Sequence, residues 1–234
     1  MTKLEFDYNP DEQCKSGAIF PDDYINIENK PSFWKNLSYY VFDLKSPSQA
    51  MDYLLYEGVA TPKTFKSCPA MHGYFQRAIP VKFTSDIILE TFENGTYNYR
   101  CFDNSMLIRD HGSHQVGGHL SEDFIIIKFF FNVLIRTKSN SINFSTPILY
   151  NQMPYEVVPG IIQNQKWPID LNINTLFPKI NKKYHFKTGD ICAVLQVDKP
   201  ITSIEHNKKL SQDWHRVAYL KLRSPLESMF KKFG

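Results

Sequence analysis

From Ser67 to Asp198 short apolar runs alternate with Gly, Asn and Pro, recurring roughly every ten residues, a spacing that predicts strands rather than helices. Tyr74 to Phe83 is rich in aromatic and β-branched residues and reads as a strand, with Pro80 marking an edge or a bulge. Ile87 to Phe92 and Tyr97 to Phe102 follow, and Asn94-Gly95 between them is a hairpin signal, because both residues accept the backbone a tight turn requires. Phe124 to Thr137 predicts one long apolar strand or a bent strand pair, and Ser145-Thr146-Pro147 opens the next segment. Residues 157–198 then read as consecutive strands with a glycine hinge at each end. Many short strands punctuated by turn residues imply a mainly β fold, a jelly roll or a β-sandwich.

Two segments depart from this pattern. Ser46-Pro47-Ser48-Gln49 looks like a helix start with proline in the first turn, and Ala50, Tyr53, Leu54 and Tyr56 continue it as a short helix near 46–58. After Pro200, Leu210, Trp214, Val217, Leu220 and Leu222 fall at partly helical spacing behind a Ser211 N-cap, with Pro225 closing the helix. The expected organisation is an N-terminal arm over 1–30, a β-rich core domain over 31–202 and a basic helical tail over 203–234.

A chain of 234 residues, 42% hydrophobic and 15% aromatic, can bury a core without disulfides or metals. Its net charge of +3 is small and mostly scattered, so nothing demands a nucleic-acid partner. Trp214 and Tyr219 in the basic tail could stack on bases, but the interspersed Glu205, Asp213 and Glu227 favour a solvated helix face. Cys14, Cys68, Cys101 and Cys192 form no C-x-x-C pair, which argues against a zinc knuckle and fits a reducing compartment. The first residues lack the basic and apolar regions of a signal peptide. The longest apolar run, Phe124 to Ile135, is broken by Lys128 and Asn132 and is too short to span a bilayer.

Gly160-Ile161-Ile162-Gln163 and the strand from Gly189 to Gln196 resemble the C-terminal sheet of the trimeric dUTPase and dCTP deaminase superfamily. The resemblance covers about 45 residues and implies a dUTPase-like β-sandwich, a trimer, and a nucleotide pocket at Arg136, Gln163 and Trp167. Gln163 stands where that family's catalytic aspartate belongs, and an amide cannot take a proton from water at neutral pH, so hydrolysis is not expected. A longer resemblance, through Cys68-Pro69, Gly73, Thr146-Pro147, Pro159-Gly160 and Lys187-Thr188-Gly189-Asp190, is to a family of uncharacterised phage and bacterial proteins. It implies a phage-type origin, and with it a virion or host-cytoplasm location.

The densest chemical cluster runs from Asp110 to Asp123. His111, His114, His119 and Glu122 could ligate one divalent metal, although their spacing matches neither a cupin nor a 2-His-1-carboxylate site. Cys68 has His72 nearby but no further group to orient the pair, and reads as a small buried residue. The leading expectation is a noncatalytic β-rich protein of phage type that acts by self-assembly or by contact with other virion proteins, without a cofactor. Trp34, Tyr39, Tyr40 and Trp214 are its candidate interface anchors. The alternatives are a metal-dependent jelly-roll enzyme using the histidine loop and a nucleotide-binding module without hydrolysis.

Overall fold

The computed structural model of the chain describes residues 2–8, 68–102, 106–110, 122–137, 141–147, 149–150, 152–163, 168–207, 209–210 and 213. Within them the fold is mainly β, of the sandwich type that the strand pattern implies, with three sheets enclosing one hydrophobic core.

The largest sheet is organised around β6 (Phe124–Thr137), 14 residues long. On one edge of β6, β1 (Thr2–Tyr8) pairs antiparallel with residues 133–137, and β5 (Leu107–Asp110) pairs with residues 127–130. β10 (Ile169–Pro178) runs antiparallel along the opposite edge. β8 (Glu156–Val157) flanks β10, and β13 (Ile201–His206) lies parallel to β1. The β6–β10 register slips once: β10 advances from Asp170 to Asn172 while β6 passes from Leu134 to Phe130. The slip is even, so Ile125, Ile127, Phe129, Phe131, Val133 and Ile135 all keep facing the core through the irregularity.

The second sheet has the order β11-β3-β4, from β3 (Ile87–Thr91), β4 (Tyr97–Cys101) and β11 (Lys182–Phe186). The third has the order β2-β12-β7-β9, from β2 (Ala78–Lys82), β7 (Ser141–Ser145), β9 (Gly160–Gln163) and β12 (Ile191–Val197). Pro80 sits in β2, an edge strand of this order, where a missing N–H is tolerated.

Inward-facing side chains from these strands meet in an aromatic cluster. Phe83 stacks on Phe186 at 4.9 Å, Tyr155 meets Phe177 at 4.9 Å, and Phe129 packs edge-on to Phe83 at 5.3 Å. Each such buried ring stabilises the fold by about 1.5–3 kcal/mol through removal of apolar surface from water. The one polar group of Tyr155 is accommodated, because its hydroxyl donates to the Cys192 carbonyl at 2.9 Å.

Three segments differ from expectation. The strand expected over Tyr74 to Phe83 starts only at Ala78, because α1 (Pro69–Phe75) takes up its beginning. Pro69 opens that helix behind an extended Cys68, and no β-branched residue occurs in it, so the aromatic content that suggested a strand serves packing instead: Phe75 is buried. The arm expected over 1–30 begins as β1, a strand inside the largest sheet, since Leu4 and Phe6 carry a core-facing alternation. The helical tail expected from residue 203 begins instead as part of β13, and helical backbone follows at Lys209, Leu210 and Asp213. The helix near 46–58 lies outside the described residues. No helix among the described residues is long and apolar enough to cross a membrane.

Candidate functional site

The β3–β4 hairpin carries the most distinctive surface. Gly95 N donates to the Phe92 carbonyl and Phe92 N to the Thr96 carbonyl, both at 3.0 Å, which closes a three-residue loop over Glu93, Asn94 and Gly95. Gly95 has φ +82°, the left-handed conformation that completes such a loop, and the Asn94 side chain accepts from Thr96 N at 3.0 Å. The Asn94-Gly95 signal thus marks a real hairpin.

The same hydrogen bonds fix which way β4 faces. Thr96 accepts from Phe92, and Phe102 N donates to the Asp86 carbonyl at 3.1 Å, so both bond toward β3. Antiparallel ladders alternate, which puts Asn98 and Arg100 on the β3 side as well. Tyr97 and Tyr99 therefore turn their main-chain N–H and C=O to the other edge, where no strand among the described residues pairs with them.

Side chains on this edge are aromatic on both faces. Tyr97 and Tyr99 share the inner face, with ring centroids 6.3 Å apart and planes inclined by 21°. Tyr97 packs against the core, whereas Tyr99 remains 41% exposed. Across the strand, Phe102 is 54% exposed, and the Arg100 guanidinium lies over its ring at 4.9 Å from the centroid. An open cleft of about 520 Å³ runs between residues 95–99 and the facing Asp110 and Ile125. Burial raises the Tyr97 hydroxyl to about 12, with the Asp110 carboxylate and Tyr99 adding to the rise and a main-chain hydrogen bond at Asp110 opposing it. The Tyr97 phenol accordingly stays protonated at neutral pH. The opposite edge of the sheet, β11, is guarded by Lys182 and Lys183, a charge pattern that discourages strand addition.

A second cleft, of about 500 Å³, lies between α1 and the third sheet and is lined by Tyr74, Arg77, Asn143, Gln196 and Asp198 among others. Burial raises the Tyr74 hydroxyl to about 12, so it too stays protonated at neutral pH.

The residues singled out from sequence are dispersed. His111, His114 and His119 lie outside the described residues, while Glu122 is exposed just before β6. No three His, Cys, Asp or Glu side chains converge as a metal site among the described residues. Arg136, on β6, is engaged by carboxylates: its Nε lies 2.8 Å from Glu5 and its Nη1 2.9 Å from Asp213. Gln163 ends β9 in the third sheet, so the structure places it in a different sheet from Arg136. Trp167, Trp34, Tyr39, Tyr40 and Trp214 lie outside the described residues.

Comparison of the chain with family models, with curated proteins and with solved structures finds no match. Sequence reasoning passed over Tyr97, Tyr99, Arg100 and Phe102 as functional residues. The available signal was the segment Tyr97-Asn98-Tyr99-Arg100-Cys101-Phe102 itself, with aromatic rings at both parities of a strand, which no strand with one buried face can bury together.

Proposed function

We propose that this protein is a noncatalytic interaction module whose open β4 edge takes up an extended segment of another polypeptide. The observation that carries this reading is the edge itself: outward main-chain groups at Tyr97 and Tyr99, beside exposed Tyr99 and Phe102. Such an edge offers main-chain hydrogen bonds for affinity, and the cleft beside it offers room for alternate side chains of an added strand. The expectation of function by assembly, drawn from the resemblance to a trimeric superfamily without its catalytic aspartate and from the arm and tail, places its anchors elsewhere, at Trp34, Tyr39, Tyr40 and Trp214.

Proline substitution tests the reading, because the ring removes an N–H. Tyr99→Pro removes one that points away from β3, leaving the β3–β4 ladder intact, whereas Asn98→Pro removes one that points toward it. Linear peptides selected from a random library on the immobilised protein should perturb the amide resonances of Tyr97 and Tyr99, and should lose binding to the Tyr99→Pro variant. Selected peptides that map to other strands, or that bind the Tyr99→Pro variant equally well, would sink the proposal.

A further inference from the structure

Resting on the open-edge reading, we infer that the natural occupant of the β4 edge is a second copy of the same strand, paired antiparallel about a two-fold axis through Tyr99. Two copies of the sheet β11-β3-β4 would then join into one continuous sheet.

Register is decided by geometry and charge. Edge pairing requires outward-facing residues to stand opposite outward-facing residues, so a two-fold axis must pass through a residue, and only axes at Asn98, Tyr99 or Arg100 overlap more than one residue of each β4. An axis at Arg100 sets the two guanidinium groups directly opposite each other, a like-charge pair that disfavours the arrangement. An axis at Asn98 shortens the overlap of the strands and sets Asn98 against itself. An axis at Tyr99 overlaps all 5 residues of each β4 and places Arg100 of each copy opposite Asn98 of the other.

The neighbouring row supplies charge complementarity to this register. Asn98 is flanked on β3 by Glu90, so the second copy's Arg100 faces an amide with a carboxylate behind it. Lys183 lies beyond, 2.9 Å from Glu90, so the carboxylate sits between two cations. On the other face, the second copy's Tyr99 meets Tyr99 beside the cleft formed with Asp110 and Ile125, extending the ring pair that Tyr97 and Tyr99 already make. A two-fold pair gives a dimer, in contrast to the trimer that the dUTPase resemblance implies.

Three measurements on the full chain test the inference. Native mass spectrometry should show a species of two chains that the Tyr99→Pro variant lacks, with the variant's circular dichroism spectrum unchanged. The two Tyr99 residues form a hydrogen-bonded pair in this register, about 5.5 Å apart at Cα and within the reach of a disulfide. The Tyr99→Cys variant, made with Cys101→Ser, should therefore form a covalent dimer on mild oxidation, whereas Cys101→Ser alone and Ile161→Cys, on the β9 edge, should not. Asn98→Arg should weaken the dimer about fivefold, because it opposes two like-charge pairs across the axis, and Asn98→Asp should tighten it.

A monomer at high concentration, a trimer, or a dimer indifferent to Tyr99→Pro and to the charge at position 98 would overturn the inference. The open-edge reading would then be judged separately by peptide selection, which needs no second copy.

Discussion

Individual side chains show how burial reshapes chemistry. Cys192 is fully buried, and burial raises its thiol to about 12, with a hydrogen bond involving Tyr155 opposing the rise. The thiolate is the reactive form, so Cys192 should resist iodoacetamide under native conditions while half-buried Cys68 reacts, as peptide mapping by mass spectrometry would show. Labelling of Cys192 at the same rate as Cys68 would contradict the buried placement. The partner hydroxyl has its own cost when removed: Tyr155→Phe leaves the Cys192 carbonyl without its donor in a dry core and should destabilise the protein by about 1–2 kcal/mol in urea melts. At this scale the sequence separated the cysteines poorly: the one that reads as a small buried residue, Cys68, is half-buried, whereas Cys192 is the fully buried one. It gave no sign of the partners of Arg136, which pairs with Glu5 and Asp213. Those two contacts span long stretches of chain, and no local pattern announces them.

At the scale of elements, turn residues spoke clearly and strand starts did not. Asn94-Gly95 forms the turn it suggested because the requirement is local: Gly95 must adopt φ +82°, and a Cβ there would also stand 3.1 Å from Lys179 Cε. Gly95→Ala should accordingly cost about 1–2 kcal/mol, measured as a lowered urea midpoint with an unchanged slope. A midpoint equal to that of the parent would show that the hairpin relaxes freely. Tyr74 and Phe75, by contrast, carry strand-like side chains within a helix, because Pro69 starts the helix and Phe75 then reaches the core. β1 falls in the stretch whose Pro10, Gly17 and Pro21 among acidic residues suggest an arm, and most of β13 falls in the stretch whose basic residues and helical spacing suggest a tail. Their parallel pairing joins the two ends of the chain's described course, a contact that periodicity cannot encode.

For the whole molecule, the junction of β1, β6 and the segment after β13 should make stability sensitive to acid. Burial alone would raise the Glu5 carboxyl, but the hydrogen bond and charge of Arg136, helped by Asn207 and Lys3, outweigh it and hold Glu5 below its ordinary value of 4.5. A depressed carboxyl stabilises the folded state above its unfolded pKa, and that contribution fades as pH falls through the lower folded value. Chemical denaturation from pH 6 down to pH 3 should therefore show a steeper decline for the parent than for Glu5→Gln. Glu5→Gln should also cost about 1 kcal/mol at neutral pH, where the ion pair is intact. Parallel declines would show that Glu5 does not contribute. The sequence by itself determined that the chain is mainly β, where several strands run, and that a tight hairpin closes at Asn94-Gly95, since alternation and turn chemistry depend on residues a few positions apart. Only the tertiary structure decided which strands share a sheet, that Arg136 is paired with Glu5 and Asp213, and that one edge of β4 meets no other strand among the described residues while Tyr99 and Phe102 are exposed. Those outcomes depend on pairings between distant segments, and a strand's own pattern reports which face it buries but not which neighbour it acquires.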